Sequence, residues 1–229
     1  MSGGPPAADS LAGLHLLVSA GPTYEDIDPV RFLGNRSSGK MGFAIAAAAL
    51  RRGARVTLVA GPVHLPTPDG LRRIDVRSAA QMHAAVLGAL PADVYIGAAA
   101  VADFTPRTVA AGKLRKQPGQ EGLTLDLVRT RDILAEVAAH AQRPRLVAGF
   151  AAETDEVEAY ARGKLARKGI DLIAANLVGG EGGGFESDDN ALLLLGHDGW
   201  RLELPWAAKT ALADSYLDAI ADRLAALDR

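Results

Sequence analysis

Gly34-Asn35-Arg36-Ser37-Ser38-Gly39-Lys40-Met41-Gly42 is the stretch from which the rest of this 229-residue chain is read. Ahead of it, residues 14–20 form an apolar run that stops at the Gly21-Pro22 breaker pair, the pattern of a buried strand. Behind it, residues 39–52 are alanine-rich with apolar residues on every side, which predicts a buried helix. A polar, glycine-containing turn therefore stands between a first strand and the amino end of a first helix. Backbone N–H groups and the helix dipole make such a place attractive to an anion. Ser37, Ser38 and Gly39 are the candidate phosphate or carboxylate site. Two familiar loops come close and fail. Gly34 and Gly39-Lys40 are spaced like the opening of a P-loop, but Met41 stands where a Mg²⁺-binding Ser or Thr is needed. A dinucleotide fingerprint needs its glycines directly after the strand, and about a dozen residues separate Gly21 from Gly34. The second strand, residues 55–60, ends in Ala60-Gly61-Pro62, with no acid for a ribose hydroxyl. Glycines that serve only turn and helix packing are the competing reading.

Further along, residues 73–77 and 93–99 read as strands with a helix over 79–90 between them. Residues 145–151 and 172–175 continue the alternation as strands five and six, with a helix over 156–168. This βαβ order predicts an α/β protein with a doubly wound, mostly parallel sheet. In such sheets a ligand sits beyond the carboxyl ends of the strands, where the strand order reverses. The 34–42 turn and segment 98–103 follow strands one and four, which usually flank that point. Gly97, Ala98, Ala99 and Ala100 are small enough for a flat ligand to approach the backbone, and Asp103 is an acid at the lip of the crevice or a cap. Residues 105–122 hold little apolar content and carry Arg107, Lys113, Arg115 and Lys116, which predicts a mobile basic surface loop. Residues 123–128 alternate like an antiparallel or edge strand. Lys164 and Lys168 share one helix face, either a solvated basic face or part of an anion site. Residues 179–184 are almost all glycine, a flexible loop. Residues 191–195 and 200–204 pair antiparallel about His197-Asp198-Gly199, and an amphipathic helix over 207–227 closes the chain.

Composition narrows the function classes. A net charge of −2 argues against a broad nucleic-acid footprint, and no apolar run approaches a membrane span. The absence of cysteine excludes disulfides, thiolate nucleophiles and thiolate metal sites, and suits the cytoplasm. The five histidines (His15, His64, His83, His140 and His197) have no ligand spacing. Residues 1–12 read as a flexible leader and 13–229 as one domain.

The run from Ala20 through Arg31 and Phe32 to Gly42 closely resembles the opening of bacterial phosphopantothenate–cysteine ligase, the ligase half of the bifunctional coenzyme A biosynthesis protein. Ala99-Ala100-Val101-Ala102-Asp103-Phe104, Gly149-Phe150-Ala151-Ala152-Glu153-Thr154 and the Lys164/Lys168 helix resemble further segments of it, so the likeness spans about residues 13–225. Lys113-Leu114-Arg115-Lys116 matches the family's Lys-x-Lys-Lys flap with one Lys-to-Arg change. Thr130-Arg131-Asp132-Ile133 departs from its Asn-Pro-Asp-Ile, keeping Asp132 as a cap and Ile133 as pocket wall. The resemblance implies a Rossmann-like sheet whose C-terminal antiparallel extension forms a homodimer. It implies joining of 4′-phosphopantothenate to L-cysteine, with CTP activating the carboxylate as an acyl-cytidylate and Mg²⁺ as cofactor on residues it does not identify. It places Asn35 and Lys113 in catalysis and Arg31, Asn35 and Ala100 on the acyl substrate, Arg31 from the partner subunit. Ser37, Ser38, Gly39, Gly97, Ala98, Ala99, Asp103, Lys113, Asp132, Ile133, Phe150, Lys164 and Lys168 fall to the nucleotide. A flavin-dependent phosphopantothenoylcysteine decarboxylase, separate or formerly fused, is the implied partner. A nicotinamide-dependent reductase would share the sheet but lacks its fingerprint here, and a nucleotide sensor would have little need of the Lys113 flap.

Overall fold

The chain opens with β1 (His15–Ala20), whose six side chains are all buried because the strand is paired on both sides. A small hairpin follows, β2 (Tyr24–Asp26) with β3 (Phe32–Gly34), then α1 (Lys40–Arg51), β4 (Arg55–Ala60) and β5 (Arg72–Asp75). Next come α2 (Ala79–Gly88), β6 (Val94–Gly97) and a second ribbon, β7 (Phe104–Pro106) with β8 (Leu127–Arg129). The remainder is α3 (Ile133–Ala138), β9 (Leu146–Glu153), α4 (Val157–Lys168), β10 (Leu172–Leu177), β11 (Asp189–Gly196), β12 (Arg201–Ala208) and α5 (Lys209–Leu227). This computed structural model describes residues 9–116, 118–119, 121–153, 156–177 and 187–227. Most of the leader, Thr154 and the glycine run at 179–184 lie outside the described residues.

One eight-stranded sheet runs in the order β12-β11-β10-β9-β6-β1-β4-β5. The six strands from β5 to β10 are parallel, and β11 and β12 are antiparallel additions, as the alternation and the 197–199 turn led one to expect. Chain order reverses at β1, with β4 and β5 to one side and β6, β9 and β10 to the other. Successive residues of the inner parallel strands enter opposite cores, which explains their continuous apolar runs. Leu16 and Val18 of β1 enter the layer of α1 and α5, while Leu17 enters the layer of α2, α3 and α4. Gly42 lets α1 lie close to β1: a Cβ there would stand 2.5 Å from the Ala20 Cβ. At the far end of α1, the buried Arg52 reaches α5, donating to the Asp218 carboxylate at 2.6 Å and the Asp214 carbonyl at 2.8 Å.

Two expectations need correction. Residues 123–126 are not strand; only β8 pairs, and it does so with β7 outside the main sheet. Pro106 and the glycines around this segment limit how far pairing can extend. The basic loop is anchored rather than loose, because Ala110 donates to the Ile27 carbonyl and Leu114 donates to the buried Asp28 carboxylate. The antiparallel extension is covered on its inner strand β11, and its edge strand β12 leaves Trp206 47% exposed. Leu192 and Leu194 of β11 pack in the α5 layer, and Leu193 and Leu195 in the α4 layer. Further exposed apolar side chains lie on the two ribbons and their loops, at Val30, Phe32, Phe104, Val109, Leu123 and Leu127.

Candidate active site

Beyond Ala20 and Gly97, the ends of β1 and β6, the two chain segments hold one another. Thr23 donates to the Ala100 carbonyl at 3.2 Å, Ala100 donates to the Gly21 carbonyl at 2.9 Å, and the buried Thr23 hydroxyl accepts from the Ala102 N–H. The resulting sill, residues 98–103, divides a cleft at the strand-order reversal into two cavities.

The first cavity, about 230 Å³, is bounded by the amino end of α1. It brings together Ser37, Ser38, Gly39, Ala98, Ala99, Ala100, Asp103, Phe150 and Lys164 of the expected residues. Gly39 precedes α1 in a left-handed conformation (φ 76°), and no side chain caps the helix. That conformation suits glycine, and it leaves the first-turn dipole directed at the cavity. The second cavity, about 490 Å³, lies on the α3 and α4 side. It gathers Gly97, Ala99, Asp103, Asp132, Ile133, Phe150, Lys164 and Lys168. Ala99, Asp103, Phe150 and Lys164 line both.

The cationic side chains are positioned by hydrogen bonds. Lys164 Nζ donates to the Phe150 carbonyl at 2.9 Å, and Lys168 Nζ donates to Asp132 at 2.9 Å. Asp132 also accepts from the Ala135 N–H as the cap of α3. Burial alone would push its carboxyl up, but Lys168, the Ala135 N–H and the charge of Lys164 outweigh this and hold it below the usual aspartate range. Deeper in the same cavity, burial pushes the Tyr95 hydroxyl up to about 12, and it meets the Ser19 hydroxyl at 3.1 Å. Phe150 is half-buried, its ring 5.5 Å from that of Tyr216. Thr130 donates its hydroxyl to the Ala102 carbonyl at 2.6 Å and so ties the second cavity to the sill. Arg131 reaches Glu136 at 2.9 Å.

Three expected residues line neither cavity. Asn35 stands at the rim, where its Nδ2 donates to the Ala100 carbonyl at 3.0 Å. Arg31 pairs with Asp28 at 3.2 Å and donates to the Leu114 carbonyl, so the 28–31 turn and the Lys113-Leu114 segment are pinned together. Lys113 is exposed beside them. Conversely, Lys40, Asn176, Asn190 and Lys209 line the first cavity and were not foreseen. Lys40 adjoins the quoted motif and could have been found from its place at the helix start. The other three carry no local signal, because only sheet order brings them there.

Fold and cleft together define a doubly wound α/β protein with an anion-seeking site at its strand-order reversal. The family described as DNA/pantothenate metabolism flavoprotein C-terminal domain matches residues 11–224, and the chain belongs to that family. It is 51% identical over 217 residues to the coenzyme A biosynthesis bifunctional protein CoaBC of Escherichia coli (strain K12), covering 94% of this chain and 53% of the relative. Its likeness to the CoaBC of Vibrio cholerae is 50% over 215 residues, covering 93% and 54%. The chain thus spans about half the length of these curated relatives. A crystal structure of the C-terminal domain of CoaBC superposes with a TM-score of 0.80 at 38% identity, covering 95% of this chain and 98% of that one.

Proposed function

We propose that the chain is a phosphopantothenate–cysteine ligase, joining 4′-phosphopantothenate to L-cysteine with CTP. The observation that carries this reading is the divided cleft, with Lys164 and Asp103 at the division and the α1 amino end on one side. It suits an elongated anion laid across the sill. The membership of a pantothenate-metabolism family and the coenzyme A biosynthesis relatives narrow the anion to this substrate class.

A carboxylate resists amine attack because oxide is a poor leaving group. In the first step the phosphopantothenate carboxylate oxygen attacks the α-phosphorus of CTP, and the bond to the bridging oxygen breaks with its electron pair leaving on pyrophosphate. In the second, the cysteine amine adds to the acyl carbonyl, loses a proton, and CMP departs. Both steps build charge on oxygen, which fixed donors stabilise best where water is excluded. Lys164, shared by both cavities, is placed to serve the α-phosphate. Asp132, Ile133, Phe150 and Lys168 would enclose the nucleoside. Asn35, an uncharged donor at the rim beside Ala100, suits the acyl group without trapping the ammonium of cysteine. Lys113 would neutralise the oxyanion if its segment moves inward from the 28–31 turn. Among the described residues no three acidic or histidine side chains cluster as a metal cage. Mg²⁺ that is carried chiefly by nucleotide phosphates, with Asp103 as the carboxylate at the sill, fits this donor set. When bound, it supplies charge neutralisation to the phosphates.

A second copy of the chain completes the reading. Arg31 lines neither cavity of its own chain, and it is flanked by the exposed Val30 and Phe32. Burial of these ribbons in a twofold contact would present Arg31 to the other subunit's substrate phosphate. The remaining half of the bifunctional relatives makes a phosphopantothenoylcysteine decarboxylase the natural consumer of the product. The deciding experiment supplies CTP and 4′-phosphopantothenate and follows pyrophosphate, then adds cysteine and follows CMP. Pyrophosphate release without cysteine, at a higher rate with CTP than with ATP, supports the assignment. Failure of CTP to release pyrophosphate, or equal or faster release with ATP, overturns it.

A further inference from the structure

Among the described residues, three lysines, Lys40, Lys164 and Lys209, line the first cavity against one carboxylate, Asp103. Lys209 begins α5 and is only 7% exposed, with Nζ donating to the Ser187 carbonyl. Lys40 begins α1, and its Nζ meets Asp188 at 2.6 Å. The Asp188 side chain is 86% exposed and Asp189 is exposed, so both nearby acids face solvent and neither lines the cavity. Burial, and after it the charge of Lys40, lowers the pKa of the Lys209 ammonium. The fold therefore holds a desolvated cation near a second one, a strain that an anion entering between them would relieve. Asn176 and Asn190, linked side chain to side chain at 3.1 Å, line the same cavity and offer neutral amides. Lys168, by contrast, belongs to the other cavity, where Asp132 already occupies it.

We infer that Lys40 and Lys209 seat the pyrophosphoryl end of the nucleotide, a positioning role that rests on the ligase reading above. The nucleotide then has a direction: nucleoside in the larger cavity, α-phosphate over the sill, and β- and γ-phosphates between α1 and α5. When the bond from the α-phosphorus to the bridging oxygen breaks, the electron pair and the new charge go to pyrophosphate. The two ammonium groups lie where that charge collects.

The test measures equilibrium binding of inorganic pyrophosphate and of CMP, each with Mg²⁺, to the whole chain and to Lys209→Met and Lys40→Met. Methionine keeps length and apolar stem without the charge. Pyrophosphate should weaken by about tenfold or more in each variant, the scale of a lost charge-assisted hydrogen bond, while CMP stays within about twofold. Retained CMP binding also certifies the fold, and Lys40, being more exposed than Lys209, serves if the Lys209 variant does not fold. Equal loss of both ligands, an unchanged pyrophosphate affinity, or a loss confined to CMP overturns the inference. A wild-type chain that binds neither CMP nor pyrophosphate removes the ligase reading with it. Wild-type binding of both with unaffected variants removes the lysine seat alone.

Discussion

On the proposed ligase reading, single residues should divide the chemistry between the two half-reactions. Asn35→Asp keeps shape but sets a carboxylate beside the Ala100 carbonyl and the acyl phosphate, where it impedes amine attack. Lys113→Gln keeps length and loses the charge over the oxyanion, costing on the order of 10²–10³ in rate if it behaves as other oxyanion donors do. In both variants pyrophosphate should still appear while quenched enzyme accumulates acyl-cytidylate; if pyrophosphate release also stops, the residue acts in the first step. Lys209 adds a pH signature. Its folded pKa lies below the ordinary value of about 10.4, so the unfolded chain binds the proton more tightly. Stability should therefore rise with pH between the lowered value and about 10.4, and Lys209→Met should lack that rise. Urea midpoints of the two proteins across this window check the sign. At this scale the sequence was half legible. Ser37, Asp103 and Lys164 sit in or beside recognisable runs, whereas Lys209 looks like any lysine opening a helix.

Among the elements, α1 is the one most constrained by what it touches. An alanine at position 42 would favour the helix by about 1 kcal/mol through propensity, yet its Cβ would press to 2.5 Å from Ala20. Contact with a central strand should win, so Gly42→Ala is expected to destabilise by about 1–3 kcal/mol, read as a lower urea midpoint at unchanged slope. A midpoint that rises would show that β1 gives way. Strands and helices of the main sheet were readable because burial on both faces leaves long apolar runs. The two ribbons were not, since three-residue strands leave no period to count and are held by particular contacts. Tyr24 stacks on Phe32 with centroids 3.9 Å apart, and Arg77 from before α2 lies over both rings. α3 hid for a similar reason: six residues are too few for a pattern, and its visible mark was the Asp132 cap.

For the whole molecule, the proposed dimer has two candidate surfaces. The antiparallel extension was the natural one in the sequence, because apolar strands outside the alternation need cover; α4 and α5 cover β11, while β12 leaves Trp206 exposed. The ribbons expose more apolar side chains, and a dimer through them should be sensitive to charge. Phe32→Glu with Phe104→Glu should shift light scattering from dimer to monomer and lower turnover, while Trp206→Glu on β12 should leave the mass unchanged. Dissociation by the Trp206 change alone would return the interface to the extension.

The Arg52 clamp carries a consequence for how the chain is made. Its partner Asp218 lies 166 residues further along, so the layer that α1 shares with α5 cannot close until α5 has left the ribosome. From its own emergence until α5 follows, the alanine-rich face of α1 waits without its cover, and contacts of such separation are slow to form. A nascent chain halted at residue 208 should therefore remain open to proteases around α1 and attract holdase chaperones, and both should cease once α5 emerges.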